Sequence, residues 1–266
     1  MDLGLSRRCA LISGGDSGIG LASARVLLAE GARVIITDLD QDQLDQAAAS
    51  LPDSGRRLLG FAADLTQPDQ VSRLREHVRA VGKIDILINS AGETGATGPF
   101  HEIGDDGWRD TLEVDLMGPI RLTRAFMDDL RTGGWGRLIF LTSENAVQPY
   151  PDEIPYDAAK AALLATAKAL SKAYGEDGLL VNCVSPAFVR TPMTDKMMHQ
   201  RADELGVDFD EAVRTFLEEK RPNMVLGRRG EADEVAAVIA FLCSDRASFI
   251  AGANYRVDSG SVAAIN

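Results

Sequence analysis

The chain has 266 residues, 45% of them hydrophobic, and a formal net charge of −12 from 40 acidic and 28 basic side chains. That excess of carboxylates argues against nucleic acid or an anionic membrane as partner, since both need clustered lysine and arginine. No apolar run approaches the ~20 residues that cross a bilayer. The opening Met1-Asp2-Leu3-Gly4 has no leader character, so a cytoplasmic protein is expected. Cys9, Cys183 and Cys243 lie scattered in apolar stretches and read as buried small hydrophobes. His77, His101 and His199 are too dispersed to imply a metal.

Apolar strand candidates alternate with helical stretches, at 9–13, 33–37, 57–62, 84–89, 137–142, 180–184 and 254–257. Alternation of this kind implies parallel strands joined by right-handed helical crossovers. The expected architecture is one α/β domain over residues 1–266: a doubly wound, Rossmann-type, seven-stranded parallel sheet with helices on both faces. Its ligand belongs over the carboxyl ends of the strands.

The first strand runs into Ser13-Gly14-Gly15-Asp16-Ser17-Gly18-Ile19-Gly20, then a helix over 21–30 closed by Gly31. Residues without Cβ let the backbone approach a pyrophosphate, and the helix N-terminus supplies free N–H groups and positive potential. The turn therefore reads as a dinucleotide cradle, although its spacing departs from the ordinary G-x-G-x-x-G pattern. The second strand ends at Asp38, placed to accept hydrogen bonds from adenosine ribose hydroxyls and to repel a 2′-phosphate. Leu39 follows, and no arginine or lysine stands nearby to welcome that phosphate, so the expected cofactor is NAD. Asp40 is left to cap the next helix.

Further along, helices are expected near 108–130 and 156–174, and both carry more apolar residues than one buried face needs. The strand at 137–142 delivers Ser143 to the sheet's carboxyl edge. Tyr156 and Lys160 are four residues apart, hence on one helix face. A free tyrosine titrates near pH ~10, and an adjacent ammonium favours the phenolate, so a phenol tuned toward neutral pH is expected. The polar, acidic loop 144–153 should line the substrate pocket with Ser143, Glu144, Gln148, Tyr150, Tyr156 and Met193, and it suits a neutral hydroxylated molecule. The segment 192–226 breaks the alternation and reads as a helical lid over that pocket.

The order and intervals of Ser13-Gly14-x-x-x-Gly18-Ile19-Gly20, Asn89-Ser90-Ala91-Gly92, Ser143, Tyr156-x-x-x-Lys160 and Ser185-Pro186 resemble those of the short-chain dehydrogenase/reductase family. The resemblance runs from about residue 5 to residue 261, with two departures: Asp115 replaces the family's asparagine, and Ala187 its glycine. It implies hydride transfer coupled to proton transfer between a secondary alcohol and a ketone. Ser143 would bond the substrate oxygen, Tyr156 would act as general acid/base, and Lys160 would lower the tyrosine pKa and hold the nicotinamide ribose. Asp115 would stand where the asparagine supports a water chain to the lysine.

For the cofactor, the resemblance implies Ser13, Gly14, Asp16, Ser17, Gly18, Ile19 and Gly20 at the phosphates, with Asp38, Leu39, Asp64 and Leu65 at the adenosine. Asn89, Ala91 and Gly92 would shape the floor. Tyr156, Lys160, Pro186, Val189 and Thr191 would meet the nicotinamide half. A homotetramer paired through the two long helices is also implied. Two alternatives stand beside this reading. An NADP-dependent 3-oxoacyl (acyl carrier protein) reductase is opposed by the acidic Met127-Asp128-Asp129 and Gly175-Glu176-Asp177, though Arg124, Arg131 and Lys172 favour it. A non-catalytic dinucleotide-binding protein is opposed by the intact serine, tyrosine and lysine.

Overall fold

In a computed structural model that describes residues 2–51 and 57–265, the chain-order strands are β1 (Cys9–Ser13), β2 (Arg33–Thr37), β3 (Leu58–Gly60), β4 (Ile86–Asn89), β5 (Gly136–Leu141), β6 (Leu179–Pro186), β7 (Val189–Arg190), β8 (Gly230–Glu231) and β9 (Asn254–Val257). Seven of them form one parallel sheet in the order β3-β2-β1-β4-β5-β6-β9, while β7 and β8 pair separately. The first and second strands and the last match the sequence expectation residue for residue. The third is shorter than 57–62, because only Leu58 to Gly60 find partners on β2. The sixth runs on to Pro186, because β9 pairs with its carboxyl half.

Period-two alternation decides which core each strand residue enters. On one face Ala10, Ile12, Val34, Ile36 and Ile139 pack with helices α1 (Gly18–Ala29), α2 (Gln41–Ser50) and α9 (Ala232–Leu242). On the other, Cys9, Leu11, Ile35, Leu138 and Phe140 pack with α3 (Pro68–Val81), α5 (Gly118–Arg131) and α6 (Ile154–Tyr174). Covering both faces is what lets the strands be apolar throughout. No helix among the described residues is long and apolar enough to cross a membrane.

Helix α1 begins at Gly18, three residues before the expected start, and Gly31 follows its C-cap with φ +85°. The long helix expected over 108–130 is instead α4 (Asp105–Leu112), a π-helical turn over Glu113–Met117, and α5. Pro119 accounts for the break: it has no N–H to give the carbonyl four residues back, that of Asp115, and its ring crowds that turn. The segment 192–226 contains α7 (Pro192–Leu205) and α8 (Phe209–Lys220). Thr191 caps α7 in a reciprocal capping box with Thr194. These two helices share a small separate core of Phe188, Met198, Phe216, Leu217 and Met224.

Candidate functional site

A cleft of about 650 Å³ opens over the carboxyl ends of β1, β2, β4, β5 and β6, with Gly14, Asp38, Asp64, Ser143, Tyr156 and Lys160 in its wall. At its first end the chain is shaped for a dinucleotide. Gly14 has φ +67°, and a Cβ there would stand 2.8 Å from the Ala91 nitrogen. A Cβ on Gly20 would collide with the carbonyl of Gly14. Ser17, the N-cap of α1, makes no side-chain cap bond, and the first turn holds no acid. The amides at that terminus and its dipole are thus left for an external anion, and a pyrophosphate fits.

The end of the cleft at β2 is acidic. Asp38 receives a hydrogen bond from its neighbour's amide, Leu39 N, at 2.8 Å, and burial together with the nearby Asp16 carboxylate raises its pKa to about 6. Asp64 accepts from both the amide and the hydroxyl of Thr66 (2.8 and 2.7 Å), which fixes its carboxylate at the groove wall. Ile19, Leu39, Leu65, Ala91, Pro186, Val189 and Thr191 also line the cleft. Ser13 and Asn89 do not. The Ser13 hydroxyl accepts from the amides of Ser90 and Ala91, tying β1 to the end of β4. The Asn89 amide group donates to Thr123 Oγ1 at 3.1 Å, which turns it toward α5 instead of the groove.

At the other end the turn of α6 places Lys160 Nζ 5.2 Å from the Tyr156 ring centroid. Ser143, at the end of β5, lines the same cleft as the Tyr156 phenol, and its hydroxyl favours the ionised phenol. The π-helical turn puts Asp115, fully buried, 3.0 Å from Lys160 Nζ. Burial works against the Lys160 ammonium, but Asp115 and Tyr156 oppose it and hold its pKa above the ordinary lysine value.

The tyrosine departs from the sequence expectation. Burial raises its pKa, Asp115 adds to the rise, and the counter-pull of Lys160 and Ser143 does not overcome them. The phenol therefore sits above its ordinary value. The lysine is there, as the spacing implied, but its charge is shared with a carboxylate that no helical spacing could reveal.

Gly92 has a tertiary reason as well. A Cβ there would lie 2.6 Å from Asp115 Oδ1 and 3.0 Å from Lys160 Nζ, inside the ion pair.

The expected substrate set divides. Ser143, Tyr156 and Met193 face the cleft. Glu144 does not: it is 1% exposed and its carboxylate lies 2.7 Å from Arg221 Nε. Gln148 spends both ends internally, donating to Tyr150 Oη and the Ser261 carbonyl and accepting from Ala263 N. Tyr150 packs its ring 3.7 Å under the Arg221 guanidinium. These three hold the loop instead of lining the groove, because a buried carboxylate drew a buried cation.

Sequence reasoning missed Asn145, which accepts from Ser143 Oγ at 3.0 Å and donates to Glu153 and Asp157 at 2.7 and 2.8 Å. Its place two residues after the serine was the available signal. Also missed was Glu93, directly after the Asn89–Gly92 motif. With Met193 it joins the main cleft to a second one of about 720 Å³ between α7, α8 and residues 93–97.

The family model described as Enoyl-(Acyl carrier protein) reductase matches residues 14–261. An uncharacterized oxidoreductase of Bacillus subtilis, YvrD, is 34% identical over 262 residues, covering 98% of this chain and 99% of the relative. Cis-4-hydroxycyclohexanecarboxylate dehydrogenase of Sinomonas cyclohexanicum is 32% identical, covering 97% and 98%. L-sorbose reductase of Gluconobacter frateurii, solved with NADPH and L-sorbose, superposes with a TM-score of 0.93 at 34% identity over 100% of both chains. With strand order, phosphate turn and the serine, tyrosine and lysine all in register, the chain belongs to the short-chain dehydrogenase/reductase family of oxidoreductases.

Proposed function

We propose that the protein is an NAD-dependent oxidoreductase interconverting a secondary alcohol and a ketone, with Tyr156 as general acid/base. The observation that carries this reading is the convergence of Ser143, Tyr156 and Lys160 on one cleft whose far end is built for a dinucleotide. The nicotinamide, when bound, supplies the hydride acceptor or donor. Ser143 donates to the substrate oxygen and stabilises charge there. Tyr156 exchanges the hydroxyl proton, and Lys160 with Asp115 forms the polar path behind it.

The choice of NAD rests on Asp38 and Asp16. Structural neighbours such as the sorbose reductase and the actinorhodin polyketide ketoreductase carry NADPH. Here the ribose end presents two neighbouring carboxylates, which accept from a diol and repel a phosphate. A hydroxylated small molecule suits the second cleft, where Glu93, Asp110 and Asp152 mix with Lys196 and Lys220, and the relatives named for sorbose and a hydroxycyclohexane acid accord with it. On this reading, α7 and α8 form the substrate lid of a single catalytic domain, and the protein is cytoplasmic.

The test is a panel of polyols and cyclic alcohols offered with NAD and NADP in parallel, repeated with Tyr156→Phe. That variant lacks only the phenol oxygen, so it should bind NAD nearly normally and turn over at least ~10²-fold more slowly. Full activity in Tyr156→Phe removes the tyrosine from the chemistry. Cofactor binding with no turnover across the panel replaces the enzyme by a dinucleotide-binding protein.

A further inference from the structure

Arg221 is a buried cation at the C-cap of α8. Its Nε lies 2.7 Å from Glu144 Oε1 and its Nη2 3.9 Å from Glu153 Oε1, while Nη1 donates to the Lys220 carbonyl at 3.0 Å. The guanidinium carbon stacks 3.7 Å from the centroid of the Tyr150 ring. A planar fork of five donors can serve two carboxylates and an aromatic face together, which a lysine ammonium cannot.

Both carboxylates lead to Ser143. Glu144 is its chain neighbour. Glu153 accepts from Asn145 Nδ2 at 2.7 Å, and Asn145 Oδ1 accepts from Ser143 Oγ at 3.0 Å. Asp157, beside Tyr156, holds the same asparagine at 2.8 Å and the Tyr150 amide at 2.8 Å. Each route from Arg221 to the serine starts with an ion pair; the first is completed by the chain itself and the second by two hydrogen bonds through Asn145. On the opposite side Arg221 ends the helix pair that roofs the second cleft, through Met197, Met198 and Phe216.

We infer that Arg221 is a positioning residue that couples the seating of the α7–α8 pair to the orientation of the Ser143 hydroxyl, so that roof and substrate-polarising group are set together. The inference rests on reading Ser143 as that group, but its test needs no substrate, so the two can fail separately.

Hydrogen–deuterium exchange of the full chain decides it, comparing wild type with Arg221→Met, Arg221→Lys and Glu144→Gln at pH 5 and pH 8. The amides of Ala146, Val147 and Gln148 are held by the carbonyls of Ser143 and Glu144 and report on the serine turn. In Arg221→Met they should exchange at least ~tenfold faster, together with the last turn of α8, while β1, α1 and NADH binding stay unchanged. The acceleration should be greater at pH 8. Without Arg221 the groups that act on Glu144 are Tyr150 and Ser261, neither of them cationic, so its ionised form is left buried and unpaired; burial raises its pKa, so acidification relieves that unpaired charge.

Arg221→Lys keeps the charge but not the fork, so it should recover only part of the protection. By linkage, Glu144→Gln should loosen the end of α8 in return. The inference is overturned by faster exchange confined to residues 209–226, by equal acceleration in the lysine and methionine variants, or by acceleration that ignores pH. If Arg221→Met does not fold, Glu144→Gln decides alone: unchanged exchange at the end of α8 rejects the coupling.

Discussion

Lys160 Nζ lies 3.0 Å from Asp115 Oδ1 and both side chains are buried, so the cation beside Tyr156 is already paired within the protein. The other oxygen, Oδ2, has no hydrogen-bond partner among the described residues. Burial raises the Asp115 pKa and the Lys160 charge pulls against that rise. An asparagine at this place would leave the lysine charge free to act on the phenol. The aspartate instead divides it, and the phenol stays protonated at neutral pH. On the proposed mechanism such a site should favour giving a proton to a ketone, and alcohol oxidation should need more alkaline solution.

The first prediction follows from that charge. Asp115 raises the Tyr156 pKa, so Asp115→Asn should lower it and move the pH–rate profile for alcohol oxidation to lower pH. Kinetics of both proteins across pH 6 to 11 will show the direction. A profile that stays in place, or moves upward, contradicts the electrostatic account.

The second concerns the cofactor. NAD(H) should bind at least ~tenfold more tightly than NADP(H) at pH 8, a difference of about 1.4 kcal/mol. Because Asp38 titrates near about 6, acidification through that range should weaken NAD, whose hydroxyls need an ionised acceptor, and ease the repulsion of the 2′-phosphate. The affinity ratio should therefore fall as pH drops from 8 to 5. Asp38→Ala should narrow the ratio at all pH values, chiefly by weakening NAD. Fluorescence titration with both nucleotides reads this, and tighter NADP binding at pH 8 would reverse the assignment.

A third prediction tests the reason for Gly92. The Cβ of Gly92→Ala would sit 2.6 Å from Asp115 Oδ1, and neither member of a buried ion pair can move aside freely. Overpacking of this kind costs about 1–3 kcal/mol. Denaturant unfolding should show that loss, and turnover should fall with cofactor affinity less affected. A variant as stable and active as wild type would mean that the pair relaxes without penalty.

The fourth is assembly. Leu116, Met117, Ile120 and Met127 on the π-turn and α5, with Leu164 and Leu170 on α6, remain half-buried, and Phe249 before β9 is fully exposed. Leu122 and Phe126, in contrast, belong to the core. The leftover apolar surface on these helices should be covered by copies of the chain in a homotetramer with two-fold interfaces. A monomer by light scattering at micromolar concentration would reject it.

The seven strand segments, the glycine cradle, Asp38 and the serine–tyrosine–lysine set were legible in the chain itself, because each depends on short-range periodicity, turn chemistry or a four-residue helical repeat. The strand order came only with the fold. The alternation of Ala10, Leu11 and Ile12 between two cores needs only the pleat. What the tertiary structure alone decided involves charges brought together over long sequence distances. Asp115 meets Lys160 because Pro119 opens a π-helical turn, Asp38 gains Asp16 as a neighbour, and Arg221 withdraws Glu144 from the pocket. Periodicity says which residues share a face, but the pKa of a phenol and the partner of a buried carboxylate are set by burial and Coulomb interaction across space, and only the folded chain fixes those distances.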